Sequence, residues 1–122
     1  MKKIAIVGSR GWSDVDRITK YIRSVGRDVQ IVSGGARGAD SIAEKIARHE
    51  GLPIKIFLPN TAEWGARIAL LMRNSEIVAY CDELIAFWDG ISAGTKDSID
   101  KAIAAKKHVT IFYPGVDLTS VT

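Results

Sequence analysis

Short runs of β-branched and apolar residues alternate along the chain with longer segments in which apolar residues recur every three or four positions. Runs of the first kind are typical of strands buried in a parallel sheet, and segments of the second kind predict helices with an apolar face. The predicted strands cover residues 3–7, 29–32, 54–58, 83–88 and 109–113, and the predicted helices cover 15–25, 39–50, 66–79 and 95–105.

The alternation of strands and helices predicts parallel pairing through right-handed crossovers, with helices on both faces of the sheet. We therefore predict an α/β fold, a Rossmann-like three-layer α/β/α sandwich around a five-stranded parallel sheet of order 3-2-1-4-5. In that order a ligand lies at the switch point, across the carboxyl ends of the first and fourth strands. The 122 residues fit a single domain, 1–122, with a core at 3–113 and a C-terminal tail at 114–122 that has no strong pattern.

Composition and charge narrow the function classes. Lys and Arg number 17 against 14 Asp and Glu, a net charge of +3 without a block of like charges, so a nucleic-acid partner is not favoured. A lone cysteine, Cys81, excludes an internal disulfide, and Cys and His do not stand at metal-ligand spacing, so we expect no metal and a reducing compartment. Since no run approaches ~20 apolar residues, we expect a cytoplasmic protein without a membrane partner.

Three glycine-containing turns each follow a predicted strand and lead towards a helix. They are Gly-Ser-Arg-Gly at 8–11, Ser-Gly-Gly-Ala-Arg-Gly-Ala-Asp at 33–40 and Asp-Gly-Ile-Ser-Ala-Gly-Thr at 89–95. Glycine lets an anion approach backbone N–H groups, and a helix N-terminus adds unpaired amides and partial positive charge. Each turn alone is also compatible with a tight loop that binds nothing. The switch point brings the three together, however, and we predict one phosphate site there.

Residue type suggests what each candidate contributes. Backbone N–H groups of 8–9, 34–37 and 94–95 would hold the phosphate, while Arg10, Arg37 and Arg73 would neutralise it. The predicted ligand-binding and phosphate-binding residues are Gly8, Ser9, Arg10, Ser33, Gly34, Gly35, Ala36, Arg37, Gly38, Asn74, Gly90, Ser92, Gly94 and Thr95. Trp12 and Trp64 are predicted to stack on a base, and a simple helix cap is the alternative role for Thr95.

Taken as a set, residues 7–10, 33–40, 73–74 and 89–95 resemble the SLOG superfamily, named for the Smf/DprA and LOG proteins. Within it the chain looks most like the small single-domain branch related to YspA and YpsA, and the likeness spans 4–113. The resemblance implies a Rossmann-like sheet whose glycine loops bind a nucleotide or nucleotide-derived small molecule, in some members as a sensor. It also implies a homo-oligomer, for which the apolar helix 66–79 is the candidate surface. We expect no cofactor.

The same resemblance leaves two alternative functions open. LOG-like members cleave the N-glycosidic bond of a nucleoside 5′-monophosphate, and others bind single-stranded DNA as DprA does. By the resemblance, Gly94 and Thr95 match the Gly-Thr of the LOG phosphate loop, and Arg73 matches the arginine of its central helix. LOG-like hydrolases have a glutamate three positions after that threonine, and here Ser98 stands in its place.

An N-glycosidase also needs a carboxylate near the oxocarbenium-like ribose of its transition state. The candidate catalytic residues are therefore Arg73, Asp40 and Asp97, with Asp40 ahead of Asp97 because it lies in the first turn after a glycine loop. Binding of a nucleotide-like ligand is the leading prediction. Phosphoribohydrolase activity and single-stranded DNA binding follow in that order.

Overall fold

The structure, a computed structural model, describes residues 1–115 and 119–121. Within them the strands are β1 (Lys2–Gly8), β2 (Val29–Ser33), β3 (Ile54–Ile56), β4 (Glu83–Phe87), β5 (His108–Phe112) and β6 (Thr119–Val121). The helices are α1 (Val15–Ser24), α2 (Ala39–His49), α3 (Thr61–Trp64), α4 (Ala66–Tyr80) and α5 (Ala93–Ala104).

The first five strands form a parallel sheet in the order β3-β2-β1-β4-β5, which confirms the predicted fold class and strand order. β1 lies at the centre, where Ala5 pairs with Val32 of β2 on one side and with Leu84 of β4 on the other. At the end of this ladder Gly8 pairs with Phe87, so β1 and β4 finish side by side. This is the predicted switch point.

The C-terminal tail differs from the prediction. β6 pairs antiparallel with β5, with Thr110 opposite Ser120, so the sheet has a sixth strand that the sequence did not predict. A three-residue strand at a sheet edge is too short to show a hydrophobic period, which is why the pattern missed it. Residues 116–118 and 122 of the predicted tail lie outside the described residues.

The core occupies both faces of the sheet, as the alternation of side chains in β1 requires. Ile4 and Ile6 pack with α1 and α2 on one face. Ala5 and Val7 pack on the other face, in the cluster that contains Ile77 of α4 and residues of α5. Helix α2 follows β2, and helix α5 follows β4. The N-termini of both helices therefore lie at the carboxyl ends of the parallel strands, on opposite faces of the sheet.

The outer side of α4 is apolar and uncovered in the monomer. Ile68, Leu71 and Met72 are each 39% exposed or more. Self-association through this helix stays a prediction.

The end of β1 is tightly enclosed. A Cβ on Gly8 would lie 3.2 Å from the carbonyl carbon of Phe87, and closer still to its oxygen and to Ala39 Cβ. Because these atoms belong to β4 and to the start of α2, they cannot yield without moving an element. We expect Gly8→Ala to lower the free energy of unfolding by about 2 kcal/mol, as overpacking of a core does, when measured by urea denaturation.

Gly11→Ala is the matched control, because a Cβ there meets nothing within 4 Å. It should change the free energy of unfolding by less than about 0.5 kcal/mol, as surface substitutions usually do. Equal losses in the two variants would contradict the packing argument.

Candidate functional site

A cavity of about 340 Å³ opens at the carboxyl ends of β1 and β4. Residues from all three glycine-containing loops and from α4 line it, so the loops meet at one place. The predicted site residues in its wall are Gly8, Arg10, Ala36, Asp40, Arg73, Asn74, Ser92, Gly94 and Thr95.

The N-terminus of α5 forms one wall of the cavity. Its N-cap residue is Ser92, whose hydroxyl does not cap the helix and instead donates to Asp89 Oδ2 at 2.9 Å. The first amide bonded at this end is that of Lys96, which donates to Ser92 O at 3.1 Å. The amides of 93–95 therefore have no acceptor in the part of the chain that the structure describes, an arrangement that favours an anion. Thr95 is buried in the first turn and is not the cap.

Asp89 fixes the loop that precedes α5. Its Oδ1 accepts from the amides of Ile91 and Ser92, at 2.8 Å each. These hydrogen bonds, that of Ser92 first, lower the pKa of Asp89 to about 2. The carboxylate of Asp89 therefore fixes the backbone of Ile91 and Ser92. The first turn of α5, which follows them, lines the cavity.

Arg73 supplies the buried positive charge. It lies on α4 with 7% of its surface exposed, and it lines the cavity. Its Nε donates to Asn74 Oδ1 at 3.1 Å, and its Nη1 donates to the carbonyl oxygen of Gly34. Nη2 has no acceptor among the described residues, so this nitrogen can bind a ligand. Burial lowers the pKa of Arg73 and nearby Arg10 adds to that effect, while the attraction of Asp40 opposes it.

Asn74 joins α4 to α5. Its Nδ2 donates to Gly94 O at 3.3 Å and to Asp97 Oδ2 at 3.1 Å. Asp97 also forms an ion pair with Lys101 at 2.8 Å. The predicted catalytic candidate Asp97 is therefore outside the cavity wall, because the helix turns it towards Asn74 while the next residue, Ser98, faces the cavity.

Asp40 is the acidic residue of the cavity wall, and it is 4% exposed. Its Oδ2 accepts from the amides of Gly34 at 3.0 Å and Ala36 at 3.5 Å. Burial raises the pKa of Asp40 to about 6, although the charge of Arg73 and these amides act in the opposite direction. A carboxyl with that pKa can hold or release a proton near neutral pH.

The amides of 34–37 in the second loop were predicted to hold phosphate, and the structure shows those of 34–36 bonded within the protein. Those of Gly34 and Ala36 donate to Asp40, and that of Gly35 donates to Ser33 Oγ at 3.3 Å. The sequence pattern identified a loop that binds an anion, but the anion is a side chain of α2. Ser33 is buried and donates in turn to Glu44 Oε2 at 2.6 Å.

Ser9 ties the three loops together and does not line the cavity. Its Oγ accepts from the amide of Asp89 at 2.9 Å, and its carbonyl oxygen accepts from that of Ala39 at 3.3 Å. Gly38 has a φ of +75°, and a Cβ there would collide with the backbone of Ser9 and Arg10. The first two loops can approach this closely only because that position is glycine.

Other predicted residues lie outside the cavity wall. Gly34 and Gly35 shape the second loop, Gly90 turns the third with a φ of +84°, and Arg37 is exposed. Trp64 lies on helix α3, which has no buried residue, and it is 45% exposed.

Trp12, which was predicted to stack on a base, does not line the cavity. The side chain is only 7% exposed and belongs to the core, with its ring edge-on to Phe87 at 5.3 Å between centroids. Its Nε1 donates to Asp14 O at 3.0 Å, so its polar atom also has a partner. A large aromatic ring beside a strand end gains more from burial than from exposure to a ligand.

Sequence reasoning missed the apolar part of the cavity. Leu70 and Ile77 line it from α4, on either side of Arg73 and Asn74. These four residues are spaced by three or four positions and share a face of the helix. The same spacing, counted outward from Arg73, is the signal in the sequence that identifies them.

The described residues contain neither a membrane-spanning helix nor a metal-binding cluster. None of their helices has the length and apolar character that crossing a membrane requires. They also contain no cluster of three or more His, Cys, Asp or Glu side chains that could hold a metal ion.

Comparisons with known proteins agree with this architecture. A family model described as YAcAr, the YspA, cpYpsA-related SLOG family, matches residues 2–64, which contain the first two loops. The gene 61 protein of Mycobacterium phage D29 is 35% identical over 111 residues, in a match that covers 84% of this chain and 89% of that protein.

Two solved structures share the fold. DNA processing protein A (DprA) from Streptococcus pneumoniae matches with a TM-score of 0.82 at 21% identity, over 95% of this chain and 51% of that one. DprA from Helicobacter pylori, a protein with a single-stranded DNA binding mode, matches with a TM-score of 0.70 at 22% identity, over 90% of this chain and 64% of that one. The chain thus spans less than two thirds of either structure, and at these identities the likeness is one of fold.

Proposed function

Because this chain belongs to the YspA, cpYpsA-related SLOG family, we propose that its cavity binds the phosphate of a nucleotide or nucleotide-derived ligand. The observation that carries the proposal is the convergence of unpaired donors on one cavity. The amides of 93–95 and Nη2 of Arg73 come from different helices, have no acceptor among the described residues, and belong to residues of the same wall. Both are donors that phosphate oxygens prefer.

The rest of the ligand would lie against the apolar part of the wall. Leu70, Ile77 and Val7 supply that surface. A volume of about 340 Å³ is at the lower end of the range of small-molecule pockets, ~300–1,000 Å³. This size supports a mononucleotide rather than a dinucleotide. Arg10 is exposed at the mouth and adds positive charge there.

A thermal-shift screen tests the proposal. Adenosine, guanosine, cytidine and uridine 5′-monophosphates would be compared with ADP-ribose and nicotinamide dinucleotides. At ten times its dissociation constant, a bound nucleotide stabilises the folded state by about 1.4 kcal/mol, which corresponds to a rise in melting temperature of several degrees for a chain of this size.

The matched control for each nucleotide is the nucleoside without its phosphate. It should give little or no shift, because it offers nothing to the amides of 93–95 or to Arg73. If no nucleotide shifts the melting temperature at millimolar concentration, or if nucleosides shift it equally, the phosphate site is absent.

Phosphoribohydrolase activity is a second candidate function, and Asp40 is the observation in its favour. It is a carboxyl group in the cavity wall whose pKa is raised to about 6 by burial, the property of a general acid that protonates a leaving base. Incubation of the protein with each nucleoside monophosphate, followed by chromatography, would detect free base. Lack of turnover with all four would leave the binding function alone.

Single-stranded DNA binding is a third candidate, favoured by the fold shared with DprA. In addition, Arg37 is exposed and follows Ala36 of the cavity wall, so its charge is available to a further phosphate of a strand. An oligonucleotide that spans several phosphates would bind with steep salt dependence, with a log–log slope of about −0.7 for each phosphate contacted. A mononucleotide pocket would instead give a shallow slope and no gain in affinity from a longer strand.

A further inference from the structure

We propose that anion binding in this cavity is coupled to protonation of Asp40, so that the protein takes up one proton with each phosphate or sulfate group that it binds. This inference rests on the proposed function, because it concerns the same phosphate site. Asp40 is then a positioning residue, and its protonation state sets the affinity of the cavity for an anion.

The geometry fixes Asp40 in place. It lies in the first turn of α2, 4% exposed, with Oδ2 bonded to the amides of Gly34 and Ala36. Oδ1 accepts no hydrogen bond from the described residues. The side chain is short and buried, so it cannot swing into solvent when an anion enters the cavity that it lines.

The charged groups that act on Asp40 come from several elements. Arg73 of α4 attracts its carboxylate, and Glu44 of α2 repels it. Arg10, in the loop after β1, acts on Arg73. The two histidines are remote from this group, because His49 ends α2 and His108 begins β5, at the opposite edge of the sheet.

A ligand anion and the Asp40 carboxylate therefore need the same cation. In the empty protein the attraction of Arg73 offsets part of the cost of burying the charge of Asp40. When a phosphate oxygen binds Nη2, the guanidinium is shared with a second anion, and the carboxylate, which is itself buried, gains a negative neighbour. Like charges that share a site cannot both stay ionised at little cost.

Proton uptake relieves this conflict. A proton from solvent would form an O–H bond at Oδ1, and Oδ2 would still accept from Gly34 and Ala36. Burial already raises the pKa of Asp40 to about 6, so the carboxyl is close to holding a proton at neutral pH before any ligand arrives. Above about pH 6, Asp40 is therefore ionised when the cavity is empty. When an anion is bound, Asp40 is neutral and the ligand carries the negative charge.

Sulfate is the probe for this coupling, because it stays a dianion from pH 5 to 9 and depends on no base. Its dissociation constant would be measured by NMR chemical-shift titration at constant ionic strength, for the wild type and for Asp40→Asn. If sulfate binds only when one group with a pKa near 6 is protonated, the dissociation constant of the wild type rises about 50-fold between pH 6 and pH 8, so that binding becomes weaker. Asp40→Asn should give a flat profile and bind sulfate at least about tenfold more tightly than the wild type at pH 8.

Glu44→Gln is the matched control. Glu44 raises the pKa of Asp40 but does not line the cavity, so this variant should keep the pH dependence with its midpoint moved to lower pH. A wild-type constant that does not change with pH, or an Asp40→Asn variant that binds more weakly at every pH, would overturn the coupling alone. If none of the three proteins binds sulfate at any pH, the phosphate site itself fails, and the coupling fails with it.

Discussion

Replacing Arg73 with methionine is expected to weaken nucleotide binding by about 100-fold. The guanidinium donates to Gly34 O and Asn74 Oδ1 and has Nη2 left for the ligand, so the substitution removes a charge-assisted bond to phosphate together with the groups that orient it. A hydrogen bond to a charged group contributes about 1.5–3 kcal/mol, and about 2.7 kcal/mol corresponds to about 100-fold in affinity. Isothermal titration calorimetry with the nucleotide that gives the largest thermal shift measures the loss.

Two further variants make the result specific. Arg73→Lys retains a charge but cannot reach Gly34, Asn74 and a phosphate at once, and it should lose an intermediate factor of about 10. Arg37→Met removes an exposed arginine that does not line the cavity, and its affinity for a mononucleotide should change less than about twofold. Circular dichroism confirms that each variant is folded. Binding by folded Arg73→Met within about threefold of wild type would exclude Arg73 from the site.

Much of the fold could be predicted, because its main elements carry strong patterns. Strands such as β1 and β4 are buried on both faces and are rich in isoleucine, leucine and valine, and the crossover rule then restricts their order. The elements that were missed are the shortest. α3 has four residues and no buried side chain, and β6 has three residues, so neither contributes a period that sequence reasoning can detect.

The convergence of the three loops also followed from the sequence, because the switch point depends only on strand order. The partners of individual amides did not. The amides of Gly34 and Ala36 donate to Asp40 because of the path that the loop takes over the start of α2. The sequence does not specify that path, because glycine allows many backbone conformations. The burial of Trp12 could not be predicted for a related reason, because a position in a loop does not indicate whether the side chain points towards the core or towards the cavity.

The orientation of α5, by contrast, follows from its apolar positions. Ile99 and Ala102 are buried, and Thr95 and Ser98 share their face at helical spacing. Asp97 is off that face, and its contacts with Asn74 and Lys101 agree with that position. The apolar pattern of the helix therefore argues by itself against a catalytic role for Asp97.

Asp40→Asn is expected to stabilise the empty protein at neutral pH by about 3 kcal/mol. Burial raises the pKa of Asp40 from 3.8 to about 6, so between these pH values the folded state binds more protons than the unfolded state. Stability contributed by this group is therefore fully present below about pH 4 and is lost as the pH rises through about 6, and each pKa unit corresponds to about 1.4 kcal/mol. Because asparagine cannot ionise, the variant does not lose this free energy of unfolding as the pH rises. Urea denaturation at pH 4 and pH 7.5 should show the gain only at the higher pH.

Asp89→Asn serves as the control of opposite sign. The pKa of Asp89 is lowered to about 2 by amides that favour its charge, so its contribution is present above about pH 4 and is lost as the pH falls through about 2. At pH 7.5 this variant should be less stable than wild type, while Asp40→Asn is more stable. If Asp40→Asn is instead destabilised equally at both pH values, the carboxylate's hydrogen bonds to Gly34 and Ala36 outweigh its burial. If the expected gain is found, the charge of Asp40 opposes folding of the empty protein, because its burial outweighs the attraction of Arg73 and the hydrogen bonds from Gly34 and Ala36.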